Sequence, residues 1–346
     1  MKVDRQALLE ILVMIKPGLD IKDLVEGSNH FIFEEDRVFS FNDKIAISSP
    51  SPIALNCSVP SQEFYSLVNQ ITDKEIDFVI KEKSLNICGS TIKAGFSILT
   101  ESESLGLIRS IDFRALDPWF HLPEDFLKGL SLCIFSCSKD ATLGWMTCIW
   151  VSGNQMLSTD DVRITSFNMV EKIENSFFLP LSAAQCLIKF SPIEYCLKDG
   201  WVHFRDEKKV IFSSRILDSN NPEENIEEFF TVEGTEIFLT RNEEFKNAVK
   251  RVGILEDKFM EYDRKIDVKI EGKTVTIEGQ REGVGWIKEE IILDTYDENL
   301  CFSFKINPSF LWEILTVVPS LIITINKTTC LFKSGNFRHV MSLPSD

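Results

Sequence analysis

The chain has 346 residues, a formal net charge of −16, 44% hydrophobic residues and 26% charged residues. The length favours two or three domains over one, the apolar share is enough for real cores, and the acidity excludes a general nucleic-acid binder with a basic outer surface. No apolar run approaches the ~20 residues of a membrane span, and the start MKVDRQALLE is unlike a signal peptide. A cytoplasmic protein with no membrane partner is expected.

A strand at Val3 leads into an amphipathic helix opened by Asp4, a good N-cap residue. Short strands follow ("RVFSFNDKIAISS"), then a second helix, "VPSQEFYSLVNQI" from Val59, with Phe64, Leu67, Val68 and Ile71 at helical spacing. Hairpin strands come next, "IDFVIKEKSLNICGSTIKAGFSI" from Ile76, turning at Lys83-Ser84.

The same plan then returns. "HLPEDFLKGLSLCIF" from His121 is a helix with Glu124 and Asp125 near its start, and "GWMTCIWVSGNQML" is a strand pair. "LPLSAAQCLIKF" from Leu179 is the second helix, and "IEYCLKDGWVHFRDEKKVIFSSRIL" from Ile193 turns at Asp199-Gly200. A third copy begins with "FLTRNEEFKNAVKRVGIL" from Phe238, where Thr240 and Glu243 fit a capping box. It continues through "IDVKIEGKTVTIEGQ", the helix "INPSFLWEILTVV" from Ile306, and the strands "LIITINKTTCLFKSGNFRHVMSL" turning at Lys327-Thr328. Three repeats of two helices and many antiparallel strands predict an α+β fold, with domains at 1–116, 117–232 and 233–346.

"RNEEFKNAVKRVGILEDKF", from Arg241 to Phe259, stands out in so acidic a chain. The spacing predicts a helix through this stretch, with Phe245, Val249, Val252 and Leu255 as its apolar stripe. Arg241, Lys246, Lys250, Arg251 and Lys258 gather on it.

Chemistry-bearing motifs are absent. No GxSxG, P-loop or HExxH occurs, and the four histidines (His30, His121, His203, His339) are scattered. The nine cysteines form no CxxC; Cys133 and Cys137, one helical turn apart, read as small core residues. "STDD" (Ser158–Asp161) reads as a turn with capping acids. No enzyme, cofactor or metal is expected.

Four stretches bear a resemblance to one family, the bacterial sliding clamp or beta subunit of DNA polymerase III. "LSTDDVRI" (Leu157–Ile164) resembles the family's "ATDGHRLA", and "FSSRILDSNNPE" (Phe212–Glu223) resembles the strand and proline loop that ends its middle domain. "AVKRVGILEDKF" (Ala248–Phe259) resembles the first helix of its third domain, and "HVMSLP" (His339–Pro344) resembles its "VVMPMRL" tail. Asp161-Val162 stand where the family has Gly-His, and Ser342 where it has a tail proline. These departures mark a divergent member, and a phage or mobile element is one source of such a sequence.

The resemblance implies three clamp-type domains, each with two inner helices and outer antiparallel sheets. It implies a head-to-tail homodimer around double-stranded DNA, with Arg5, Lys16, Lys128, Lys139, Lys189, Lys246, Lys250 and Arg251 facing the DNA and Ile254 and Leu255 at the subunit interface. It also implies a pocket for short linear peptides of polymerase and clamp loader, made by Thr159, Val162, Arg163, Ile164, Pro222, Val340, Met341 and Leu343. The function expected is that of a processivity factor. The alternative is a clamp-like regulator or decoy of the replisome that binds partners without encircling DNA.

Overall fold

The computed structural model of the chain describes residues 1–20, 22, 25–219, 222, 226–240, 243–255, 264–292 and 300–344, with backbone alone at Thr240. The first third runs β1 (Lys2–Asp4), α1 (Arg5–Ile15), β2 (His30–Glu34), β3 (Arg37–Asn42), β4 (Ile45–Pro50), β5 (Cys57–Pro60), α2 (Ser61–Gln70), β6 (Glu75–Lys81), β7 (Ser84–Cys88) and β8 (Lys93–Ser97). A linker helix, α3 (Glu103–Ile111), leads on. The second third runs β9 (Phe120–His121), α4 (Phe126–Cys133), β10 (Cys148–Ser152), β11 (Gln155–Thr159), β12 (Arg163–Asn168), β13 (Phe177–Pro180), α5 (Leu181–Leu187), β14 (Glu194–Lys198), β15 (Trp201–Arg205) and β16 (Ile211–Arg215). A shorter linker holds α6 (Ile226–Phe229). The last third runs β17 (Thr235–Thr240), α7 (Glu243–Val252), β18 (Ile266–Glu271), β19 (Thr274–Arg281), β20 (Gly285–Ile292), β21 (Cys301–Ile306), α8 (Pro308–Val317), β22 (Ser320–Ile325), β23 (Thr329–Ser334) and β24 (Phe337–Ser342).

Each third is therefore a strand, a helix, four strands, a helix and three strands. This is the α+β repeat that the periodicities predict. Local chemistry sets the boundaries. Asp4 accepts the amide of Ala7 at 2.9 Å to start α1, and Asn307 accepts the amide of Ser309 at 3.0 Å to start α8. Asp199 and Gly200 both take positive φ, 50° and 78°, as a two-residue hairpin turn requires. Asp125 behaves differently from the expected first-turn acid: its carboxylate accepts the amide of Val170 at 3.0 Å and makes no cap bond to α4.

Two helices depart from expectation. The linker helix α3 has its own signals, which the repeat plan hid. Ser102 accepts the amide of Leu105 at 3.2 Å, and Leu105, Ile108 and Ile111 form one apolar face. The cationic helix is shorter than its sequence pattern. It is α7 alone, followed by a 3-10 turn over Gly253–Leu255. Arg241, Lys258 and the side chain of Thr240 lie outside the described residues.

The chain divides into two compact units, Met1–Pro123 with Ile173–Asp218, and Glu124–Lys172 with Ser219–Asp346. In the first, one sheet runs β5-β2-β3-β4-β16-β15-β14-β9 and a second runs β1-β6-β7-β8. In the other unit, strands β10-β11-β12-β24-β23-β22-β17 follow one another, and a second sheet runs β20-β19-β18-β21. Each large sheet thus joins strands of two different thirds, β4 with β16 and β12 with β24, in antiparallel register (Ile47 opposite Phe212, Ile164 opposite Val340).

Helices lie close on these sheets where glycine allows it. A Cβ at Gly129 of α4 would come within 2.7 Å of Met156 and Phe167, and one at Gly279 of β19 within 2.7 Å of Val252 in α7. In the first unit Phe64 of α2 sits among Phe31, Phe33, Phe78 and Phe96, with ring centroids 5.7–6.4 Å away. Cys133 and Cys137 are buried, and burial pushes the Cys133 thiol up to about 12, so it stays protonated.

Candidate functional site

The end of β12 and the end of β24 meet in the second unit, and they carry most of the pocket residues expected from sequence. Arg163 lies opposite Met341, and Ile164 opposite Val340. Successive side chains on a strand point to opposite faces. The structure therefore divides the set: Arg163 and Met341 share one face of the sheet, Ile164 and Val340 the other. Thr159 ends β11, and its hydroxyl donates to the carbonyl of Arg163 at 2.8 Å. Val162 contributes its carbonyl, which accepts the amide of Ser342 at 3.1 Å. Leu343 is half-buried, its amide donating to Thr328 at 2.8 Å, and Pro222 is buried in the same unit. Asp161, where the resembled family has glycine, takes φ 77°, a backbone shape glycine adopts at least cost.

Arg163 is the hub of its face. Only 5% of it is exposed. Its guanidinium donates to Asp160 at 2.8 Å, to Glu313 of α8 at 2.6 Å and to the carbonyl of Phe135. It also lies over the ring of Phe310, 3.8 Å from the centroid. Each of its three guanidinium nitrogens has an internal partner. The Arg163 side chain thus pins α8 and the segment around Phe135 to the sheet, and Met341, 1% exposed, packs beside it. Nearby His339 is fully buried with Nδ1 2.7 Å from the Thr165 hydroxyl, and burial holds its pKa well below the usual range.

The opposite face is apolar and covered. Leu157, Leu331 and Val340 form its floor, with Trp145, Trp150 and Ile164 packed around them. The chain's own segment 226–232 lies on top. Phe230 enters the floor, 5% exposed, and Ile226 and Val232 pack at its sides. Glu227 fastens this strap: it accepts two bonds from Arg338, at 2.7 and 2.8 Å, and one from Gln155 at 3.1 Å. The Arg338 guanidinium holds the Glu227 carboxyl below its usual range. It also lies 4.4 Å from the centroid of the Phe230 ring.

The cations expected to face DNA fall into two groups. Lys16, Lys128, Lys139, Lys189 and Lys250 are exposed. Lys16 stands over Tyr65 at 4.8 Å, and Lys250 over Trp312 at 5.3 Å. Lys139 lies beyond α4 and Lys189 just past α5. The others are engaged within the chain. Arg5 reaches the last carbonyls of α2 (Val68 and Asn69, both 3.5 Å), Lys246 pairs with Glu243 at 2.6 Å, and Arg251 pairs through two nitrogens with Glu289 of β20. α7 buries Phe245, Ala248, Val249 and Val252. Ile254 is 69% exposed and Leu255 half-buried.

Sequence reasoning missed several members of these surfaces. Phe310, Glu313 and Phe135 surround Arg163 from distant parts of the chain, and no spacing in the sequence links them to it. Glu227 lies in a stretch, Asn221–Glu228, that reads as a solvated interdomain loop, and no spacing in the sequence links it or Phe230 to Arg338 of β24. Trp286, 68% exposed on β20, was legible as an aromatic residue in a turn-rich stretch, and its exposure was not.

No family model matches the chain. No curated protein sequence matches it either. Solved structures do. A DNA polymerase sliding clamp from Bacillus subtilis superposes with a TM-score of 0.81 at 15% identity, covering 100% of this chain and 98% of that one. A Helicobacter pylori beta clamp bound to a DNA ligase peptide gives 0.82 at 17% identity, covering 100% of both chains. A sliding clamp from Pseudomonas aeruginosa bound to griselimycin gives 0.82 at 13% identity, covering 100% of this chain and 99% of that one. The fold of the chain is that of the bacterial DNA polymerase III beta sliding clamps.

Proposed function

We propose that this chain is a divergent sliding clamp: a cytoplasmic processivity factor without chemistry of its own, closed around duplex DNA as a head-to-tail pair. Its domains in this reading are the thirds 1–116, 117–232 and 233–346, and it tethers polymerase and loader through short peptides. One observation carries the reading. The fourth strand of one third pairs with the last strand of the next, β4 with β16 and β12 with β24. Applied once more, the rule asks β20 to meet β8. Among the described residues β20 pairs only with β19, and β8 only with β7.

Two copies satisfy the rule, with β20 of each against β8 of the other. Long open edges are otherwise a hazard that proteins cover or disrupt. The residues around β20 suit burial: Ile254, Trp286 and Ile292 are 69%, 68% and 73% exposed in the lone chain. Each large apolar side chain contributes roughly 1.5–3 kcal/mol when fully buried. The exposed lysines near the helices then provide weak, exchangeable phosphate contacts, while the net charge of −16 keeps DNA off the remaining surface. The DNA ligase peptide carried by the Helicobacter pylori clamp supports peptide binding by this fold, and the family resemblance is what puts the pocket at Met341 and its neighbours.

Native mass spectrometry tests the pairing: twice 39.6 kDa is expected for the wild type and a folded single copy for Ile254→Arg with Leu255→Arg. A dimer that survives both changes removes this interface. Primer extension on a long circular template, with the cognate polymerase and loader, tests the function. A dimer that leaves product length unchanged makes the protein a partner-binding regulator instead. For the pocket, a peptide rich in Gln and Leu/Phe is expected to bind at micromolar affinity and to weaken with Met341→Ala and Arg163→Ala.

A further inference from the structure

A cleft between α7 and α8 has a chemistry that phosphate contact by lysines does not require. It holds about 300 Å³, and its lining includes Lys250, Gly253, Pro308, Ser309, Trp312 and Glu313. One wall is the half-buried indole of Trp312. Among the described residues its Nε1 has no hydrogen-bond partner, so packing alone seats the ring. Two cations flank it. The Lys250 ammonium stands 5.3 Å from the centroid of the Trp312 ring, and Arg264 donates to the Ser309 hydroxyl at 3.2 Å. The one carboxylate in the lining, Glu313, is already paired with Arg163 at 2.6 Å. The cleft is closed where α7 runs out: a Cβ on Gly253 would come 3.2 Å from Pro308.

We propose that this cleft is a site for one unpaired nucleotide of a DNA strand, with the base on the indole of Trp312 and the attached phosphate on Lys250. Arg264 adds positive potential at the Ser309 end. The proposal rests on the clamp reading for nucleic acid as the ligand, and goes beyond it in the form that ligand takes. A surface that slides on duplex needs only exchangeable charges, because paired bases are stacked on one another and offer no free face. Surfaces for single strands combine cations with aromatic platforms, because every base has a π-face. The Lys250 ammonium already lies over such a face of the indole. An entering base takes its place, and the displaced lysine follows the phosphate that comes with that base. A chain so equipped recognises the unpaired strand beside a duplex end as well as the duplex itself.

The probe is a short fluorescein-labelled DNA oligonucleotide, as a single strand and as its duplex, titrated with the full chain at low salt and read by fluorescence anisotropy. Trp312→Ala is expected to weaken single-strand binding roughly tenfold and to leave duplex binding unchanged. Trp312→Phe is expected to keep most of the single-strand affinity, because it keeps a ring. Lys250→Gln is expected to weaken both and to lower the salt slope of each by about one. If Trp312→Ala folds poorly, the readout is quenching of tryptophan fluorescence by the unlabelled strand, which the wild type is expected to show and Trp312→Phe to lose. Equal weakening of strand and duplex by Trp312→Ala, an unchanged affinity for the strand, or a quench that survives in Trp312→Phe overturns the proposal. So does a wild type that fails to bind the single strand. A short strand needs no closed ring, so these outcomes stand apart from the native mass and from primer extension, which test the clamp reading.

Discussion

Two linkers cross two large sheets in this molecule, and they cover them in different ways. The first, α3 with residues 112–116, places Leu105, Ile108, Ile111, Phe113 and Leu116 over Ile32, Phe39, Phe41, Ala46, Cys196, Trp201 and Ile211, with every one of these residues buried. Its helix is nine residues long and capped at Ser102. The second linker covers the corresponding strands of the other unit with α6, four residues long, and one buried side chain, Phe230. Both are also held by ion pairs, Arg109 with Glu34 at 2.7 Å in the first and Arg338 with Glu227 at 2.7 Å in the second. The difference lies in the apolar area beneath. The first linker is part of a core. The second rests on one buried ring, Phe230, flanked by an exposed ion pair.

The largest effects that would break this comparison come from changing a buried apolar side chain of each linker. Ile108→Asp buries an unpaired carboxylate in a dry cluster and is expected to cost more than about 4 kcal/mol, by chemical denaturation. Phe230→Ala, at the edge of a half-open floor, is expected to cost about 2–3 kcal/mol, toward the lower end for buried aromatics. Equal losses would mean the two linkers are sealed alike.

A pH titration sharpens the contrast at the next level. His203 lies beneath the first linker, its ring edge-on to Phe113 at 6.2 Å, and desolvation lowers its pKa from 6.5 to about 4. Between those values the unfolded chain binds a proton that the folded chain does not, so stability falls as pH drops from 6.5 toward 4. The loss attributable to His203 is of order 2–3 kcal/mol, and His203→Asn is expected to flatten that part of the curve. An unchanged curve would take His203 out of the first linker's energetics.

The smallest effect is in the ion pairs. Arg109→Ala and Glu227→Gln are each expected to cost less than about 1 kcal/mol in stability, as exposed pairs do. They should nevertheless differ in hydrogen exchange. Amides of 226–232 should exchange faster in Glu227→Gln, whereas those of α3 should keep their protection in Arg109→Ala because the apolar face still holds.

Much of the fold was legible because local forces decide it. Apolar spacing located α1, α2, α5 and α8, and turn residues such as Asp199-Gly200 located the hairpins. The linker helix α3 was also written locally, in Ser102 and the Leu105–Ile108–Ile111 spacing, but it stands outside the repeat that drew attention elsewhere. The site was less legible. Arg163 and Ile164 are adjacent in sequence, and the pleat sends them to opposite faces. Lys246 and Arg251 look like free cations in the sequence, and only the fold brings Glu289 of β20 to Arg251.

What the amino-acid order determined by itself is the thrice-repeated plan of strand, helix, strands, helix and strands, since capping, turn chemistry and periodicity act over a few residues. Tertiary structure alone decided which strands of different thirds join, which cations are neutralised, and which apolar floor the chain covers with its own Phe230. Those outcomes depend on contacts such as Arg163 with Glu313 and Glu227 with Arg338, 150 and 111 residues apart. No local pattern records a pairing that exists only once the sheets have closed.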